Sequence, residues 1–480
     1  MKDIGGKFKL GLIWSVIGQF GYLLITFSTN IFLARLLSPE EFGVIGIATF
    51  FIVISKVLTE SGLSGALVRK IDANDSDFST IFLFNVVVSI FLYILLFLLS
   101  PKIEIYYDIT NLSYYLRVLG LVLIINSFQL IQNVKLIKKL QYKKISSYSL
   151  FSISISSILA IIIAHLGYGV WALIFHQLIN SLLLSLIYWI RERGLNSYVF
   201  SITSFKELYS FGLYTTLSSI LNTGFDNIYH LVLGKYFGLI QTGLYYQAKK
   251  LTEIPVGVVK STTLGVVFAA LSNKQDDAEK FDEMYNNIVR LFTMVVGLIC
   301  LVVFLFSKEI ILTFYGEKWL DADFYMKVLA ISSFFYMQEM FNRILFKVYN
   351  KTQRIFVLEI LKKSINMITL LVGVYYMSID LLMYGFLLTN IVSYFINYYE
   401  SRKIYKSDNP LLEMIYAFYV IATAVVVMVL YNVVGNLIEF SSILYNLYFL
   451  PLVIISYVVL LSILNVANLK DLRLLTNLKR

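Results

Sequence analysis

The chain has 480 residues, 58% of them apolar, 16% aromatic and only 15% charged, and its mean hydropathy of +0.76 lies well outside the range of a water-soluble domain. The 40 Lys and Arg outnumber the 30 Asp and Glu, but they are scattered among apolar spans, which excludes a nucleic-acid patch and points to membrane topology instead. With 25 Gly and 5 Pro it is no loop-rich all-β chain, and runs such as 81–99 do not alternate as the strands of an outer-membrane barrel would.

Lys2, Lys7 and Lys9 precede an apolar stretch that is too long for a signal peptide and lacks a small-x-small cleavage site, so it reads as a retained first helix. Apolar spans then recur near the length of a helix crossing a roughly 30 Å hydrocarbon core. They cover 12–33, 42–63, 78–99, 112–134, 145–164 and 168–189, followed by a polar segment at 191–207. A second group covers 208–233, 243–271, 288–306, 328–346, 355–376 and 381–399, and two more spans cover 414–434 and 443–464. The expected fold is therefore all-α and integral to the membrane, with about fourteen transmembrane helices.

The distribution of cations tests that count, because one missed span would reverse the sidedness of every later loop. With both termini placed in the cytoplasm, 28 of the 40 cations fall in cytoplasmic segments, among them Lys135, Lys139, Lys144, Lys274, Lys362, Lys363 and Arg402, and six fall outside, among them Lys102, Lys235 and Lys318. This places the chain in the cell (inner or plasma) membrane.

An offset of 200 residues aligns Leu33-Ala34-Arg35 with Leu233-Gly234-Lys235, Gly43 with Gly243 and Ala48 with Ala248. The matches predict a parallel repeat of two six-helix bundles, residues 1–200 and 201–400, with 401–480 contributing two additional helices and a cytoplasmic tail.

Soluble-enzyme chemistry finds no support. There is no Walker A sequence and no Gly-rich dinucleotide turn. His165, His176 and His230 are scattered, and Cys300 is alone, so neither a triad, a disulfide nor a metal site is expected, and no cofactor. What remains are ionisable residues inside spans, each costing roughly 2.5–3.5 kcal/mol if it faced lipid at mid-depth. Lys56 and Glu60, Asp226 and His230, Lys249 and Glu253, and Glu339 and Arg343 are spaced i,i+4, on one helical face. Lys260 falls on the face of Lys249 and Glu253, and Pro255 between them can bend the helix. Arg117 and Arg343 lie near span ends, where they can equally snorkel.

The segments Gly11-Leu12-Ile13-Trp14-Ser15 and Leu33-Ala34-Arg35-Leu36-Leu37-Ser38-Pro39-Glu40-Glu41-Phe42-Gly43 resemble the opening hairpin of bacterial polysaccharide flippases. These are the O-antigen and exopolysaccharide exporters of the multidrug/oligosaccharidyl-lipid/polysaccharide superfamily. Phe225-Asp226-Asn227-Ile228, Gly243-Leu244-Tyr245-Tyr246 and Phe314-Tyr315-Gly316-Glu317-Lys318-Trp319 are similar too. The resemblance implies a V-shaped pair of bundles and alternating access, carrying a lipid-pyrophosphate-linked oligosaccharide to the outer leaflet without enzymatic activity.

On the charge argument, Lys56, Lys249, Lys250, Lys260, Arg117 and Arg343 are the expected substrate-binding residues, lining a water-filled cavity, with Glu60, Asp226, Glu253 and Glu339 as their charge partners. Expected partners are the lipid-linked oligosaccharide, membrane lipid, a sodium or proton coupling ion and polysaccharide-assembly proteins, with no nucleic acid. Competing readings are an ion-coupled drug or metabolite exporter of the same superfamily, a membrane polymerase or acyltransferase, and a structural scaffold.

Overall fold

The computed structural model describes residues 2–60, 62–192, 194–195, 198–405, 407, 409–437, 443–464 and 466; within them the side chains of 2–9, 12, 210–215, 218, 258, 260–266, 269, 352, 435–437 and 443–445 are outside the description. The described residues form helices and turns with no strand. In chain order the helices are α1 (Lys2–Leu36), α2 (Pro39–Glu60), α3 (Leu63–Arg69), α4 (Asp75–Tyr107), α5 (Leu112–Lys138), α6 (Tyr142–His165), α7 (Val170–Arg191) and α8 (Ile202–Tyr236). They continue as α9 (Leu239–Ser272), α10 (Ala278–Leu305), α11 (Ser307–Phe314), α12 (Asp323–Val348), α13 (Thr352–Tyr375), α14 (Ile379–Arg402), α15 (Leu412–Leu437) and α16 (Leu450–Ile463).

Every expected apolar span overlaps a helix. Among the described residues ten helices are long and apolar enough to cross a membrane. The expected spans beyond those ten lie on α8, α9, α12 and α13. There the sequence interrupts the apolar run, for instance with Gln338, Glu339, Asn342 and Arg343 in α12 and Glu359, Lys362 and Lys363 in α13. The segment 307–327, between two expected spans, is folded into α11 and a 3-10 turn at Glu317–Ala322 that buries Trp319 completely.

The chain divides into two compact units, Met1–Tyr246 and Gln247–Arg480. In the first, α1 lies along α6, α4 along α5, and α2 along α8. Small residues permit the approach, as they do between membrane helices generally: a methyl on Gly18 would fall 2.1 Å from Ser146 Oγ, and Ser146 Oγ donates to the Trp14 carbonyl at 2.7 Å. Gly62, at φ 62°, is the N-cap of α3. The start of α4 is fixed by a capping box in which Asn74 and Asp77 exchange side-chain and backbone hydrogen bonds at 3.0 and 3.1 Å. Lys70 joins this corner to α8, 3.0 Å from Asp77 and 2.9 Å from Glu207. The Glu207 carboxylate, as acceptor, holds the Lys70 ammonium above its ordinary value.

In the second unit α12 lies along α14, α13 along α14, and α10 against both α12 and α15. An aromatic core of Phe281, Tyr285, Phe292, Phe341 and Tyr457 runs through it, with the Phe292 and Phe341 rings edge to face at 4.3 Å. Gly297 admits α15 and α16 closely to α10, since a methyl there would meet Val420 Cγ1 at 2.3 Å and the Tyr457 hydroxyl at 2.7 Å.

Candidate functional site

The densest buried charge lies where α12 and α13 meet. The i,i+4 spacing sets Glu339 and Arg343 on one face of α12, and i,i+3 sets Glu359 and Lys362 on one face of α13. Lys362 Nζ lies 2.5 Å from Glu339 Oε1 and 2.7 Å from Glu359 Oε1. Arg343 Nη1 lies 2.9 Å from Glu359 Oε1 and 3.8 Å from Glu339 Oε1. Side-chain exposure is 6% for Lys362 and 4% for Glu339, so the pair is desolvated. Lys362 is ten residues past the first residue of α13 and Glu339 nine before the last of α12, which sets both about 15 Å from a helix end. Lys362 and Lys363, which lie within the expected span 355–376, thus stand inside α13.

The network is neutral, with two carboxylates on two cations, and each cation has more than one partner. A cation held this way can exchange a carboxylate for another anion without being left bare, which is the property a transient phosphate site needs.

A second network closes one end of the same unit. Glu413, on the first turn of α15, accepts hydrogen bonds from the Tyr285 hydroxyl at 3.0 Å and from Asn342 Nδ2 at 2.7 Å, and pairs with Arg402 Nη2 at 2.7 Å. Ser401 Oγ donates to Asn342 Oδ1 at 2.7 Å. Four helices, α10, α12, α14 and α15, thus converge on one carboxylate.

The other expected residues are distributed as follows. In the first unit Lys56 and Glu60 pair at 3.9 Å with 53% and 48% exposure. Arg117 donates from Nε to Ser100 Oγ at 2.9 Å and lies 4.2 Å over the Phe97 ring, so α4 holds it. Asp226 is exposed, while His230, one turn on, is buried against the rings of Tyr245 and Tyr246 at 5.2 and 5.5 Å. In the second unit Lys249 pairs with Glu253 at 3.7 Å, the lysine at 18% exposure and the glutamate at 64%. Lys250 is half-buried. α9 runs through Pro255 without interruption, and the Lys260 side chain lies outside the described residues. The i,i+4 pairs thus form at 56/60, 249/253 and 339/343, and the structure adds Glu359, Lys362, Arg402 and Glu413. The i,i+3 spacing of Glu359 and Lys362 within an apolar span was the available signal for the first two; Arg402 and Glu413 sit just beyond the edges of theirs.

Residues 32–324 match the family described as "Polysaccharide biosynthesis protein". The chain belongs to the polysaccharide biosynthesis protein family. It is 25% identical over 320 residues to the succinoglycan biosynthesis transport protein ExoT of Rhizobium meliloti (strain 1021), covering 66% of this chain and 65% of that protein. It is 24% identical over 338 residues to the teichuronic acid biosynthesis protein TuaB of Bacillus subtilis (strain 168), covering 69% of each. Its fold is similar to that of the lipid II flippase MurJ in an inward closed conformation, with a TM-score of 0.77 at 16% identity over 94% of this chain and 98% of that one. With ten apolar helices and these relatives, the family member is a multi-pass membrane protein. Both α12 and α13, and hence the whole Glu339–Lys362 network, lie beyond or at the end of the stretch that matches the family.

Proposed function

We propose that this member of the polysaccharide biosynthesis protein family is a flippase that carries a lipid-pyrophosphate-linked oligosaccharide from the cytoplasmic to the outer leaflet by alternating access, for assembly of a surface polysaccharide. The observation that carries the reading is the combination of family membership with cations held inside apolar helices. A diphosphate head entering a low-dielectric path needs such cations, and they in turn need carboxylate partners while the path is empty. The relatives, a succinoglycan biosynthesis transport protein and a teichuronic acid biosynthesis protein, support a saccharide cargo. The fold shared with a lipid II flippase supports lipid linkage.

The finer architecture belongs to the same proposal. Fourteen spans run with both termini in the cytoplasm, and residues 1–200 and 201–400 form the two six-helix repeats, with 401–480 added. Lys249, Lys250, Lys260, Lys56, Arg117 and Arg343 contact the pyrophosphate, with Glu60, Asp226, Glu253 and Glu339 as their resting partners. A sodium or proton gradient and polysaccharide-assembly proteins are the further partners.

Deleting the gene in its own host should remove surface polysaccharide and leave the lipid-linked sugar on the cytoplasmic leaflet, detected by extraction and by its inaccessibility to an external glycosidase. Normal surface polysaccharide in the deletion strain would overturn the proposal.

A further inference from the structure

The 200-residue repeat has a local structural expression at the start of α2 and the start of α9. A methyl on Gly243 would fall 1.8 Å from the Pro39 carbonyl oxygen, and one on Gly43 would fall 2.2 Å from the Leu239 carbonyl oxygen. Offsetting 39 and 43 by 200 gives 239 and 243, so each contact is the image of the other. Both glycines lie inside the first compact unit. A carbonyl oxygen can approach an α-carbon so closely only where that α-carbon bears no side chain, and the approach is of the kind that Cα–H···O contacts stabilise.

The partners are held in place independently. Ser38 and Glu41 cap α2, the Ser38 amide donating to Glu41 Oε2 at 2.7 Å, and Gly238, at φ 89°, sets the turn from α8 into α9. The residues next to the crossing are tightly packed. Thr242 is fully buried and touches the space over Gly46 and Gly234, a methyl on Gly234 would meet Ile47 Cδ1 at 2.4 Å, and the Phe42 and Tyr246 ring centroids lie 6.1 Å apart.

We propose that this reciprocal glycine crossing is the outer closure of the transport path, a contact that parts and re-forms in every cycle. The inference rests on the alternating-access reading and on the sidedness above, which puts residues 39 and 239 at the outer face. Carbonyls resting on glycine α-carbons separate without stripping any charge of its partner, so these two contacts part at the cost of dispersion and weak hydrogen bonds. The repeat lets both contacts break in one motion. The same geometry makes closure intolerant of a single added methyl, because the atom that would be struck is backbone.

The test uses Thr242→Cys in a Cys300→Ala background, labelled in whole cells with a membrane-impermeant maleimide. In exporting cells the cysteine should label slowly, and more slowly still when synthesis of the lipid-linked sugar is blocked. Adding Gly43→Ala or Gly243→Ala should speed labelling roughly tenfold or more, as an otherwise minor open state becomes the main one. Gly65→Ala, whose methyl meets nothing within 4 Å, should leave it unchanged. Should the glycine variants fail to reach the membrane, the labelling of Thr242→Cys with both glycines intact decides. Complete protection of Thr242→Cys in exporting cells, or unchanged labelling in both glycine variants at normal abundance, would overturn the proposal. A deletion strain that accumulates no lipid-linked sugar would instead remove the cargo reading and leave the labelling result standing.

Discussion

The Lys362 ammonium and the Glu339 carboxylate meet at 2.5 Å across two helices, with 6% and 4% of their side chains exposed. Removing one member of such a pair strands the other, at about 3–5 kcal/mol, whereas replacing both by apolar residues of similar size is close to neutral. Lys362→Ala should therefore lower the unfolding midpoint of the purified protein strongly, and replacing all four members, Lys362→Met and Arg343→Met with Glu339→Leu and Glu359→Leu, should recover most of it, since the Arg343 guanidinium shares both carboxylates. Equal loss in the single and quadruple variants would show that the pairing is not what Lys362 contributes.

Glu413 is the point on which α10, α12, α14 and α15 converge, through Tyr285, Asn342 and Arg402. Glu413→Ala leaves the Arg402 guanidinium buried without its carboxylate, and should cost about 3–5 kcal/mol. Glu413→Gln keeps one oxygen that can accept from Tyr285 and Arg402, gives up the acceptor facing Asn342, and should cost less than the alanine. Limited proteolysis between α14 and α15 reads the loosening directly. Cleavage there should rise in Glu413→Ala and stay near the wild-type rate in Glu413→Gln; equal cleavage in both would contradict the anchoring role.

Topology gives a third expectation. Single cysteines replacing Lys139 and Lys102, in the Cys300→Ala background, should label from opposite sides of the membrane, Lys102 from outside. Labelling of both from one side would contradict the fourteen-span arrangement.

The helices were legible because long apolar runs leave a chain in lipid little choice but to satisfy its own backbone. The 200-residue offset set Gly43 and Gly243 at equivalent places in the sequence. Their contact was not legible, since an offset states equivalence and says nothing of proximity. Lys362 was hidden for a different reason. It stands beside Lys363, and a pair of lysines early in a span resembles a topological signal until α13 is seen to begin at Thr352. Trp319 was hidden because Glu317, Lys318, Asp321 and Asp323 surround it in a segment that has the composition of a solvated loop, although the 3-10 turn buries the indole completely. In each case the missing information was the partner that packing supplies.

The central claim is that cations inside the apolar helices carry the pyrophosphate of the cargo. It is tested most directly by transport in vesicles of the purified protein loaded on one leaflet with a lipid-pyrophosphate-linked oligosaccharide, with a lectin reporting sugar that reaches the other leaflet. Wild-type protein should expose the sugar, Lys249→Ala with Lys260→Ala should abolish that exposure without loss of folded protein, and Lys260→Arg should retain part of it. Exposure at the wild-type rate by the doubly substituted protein would contradict the claim.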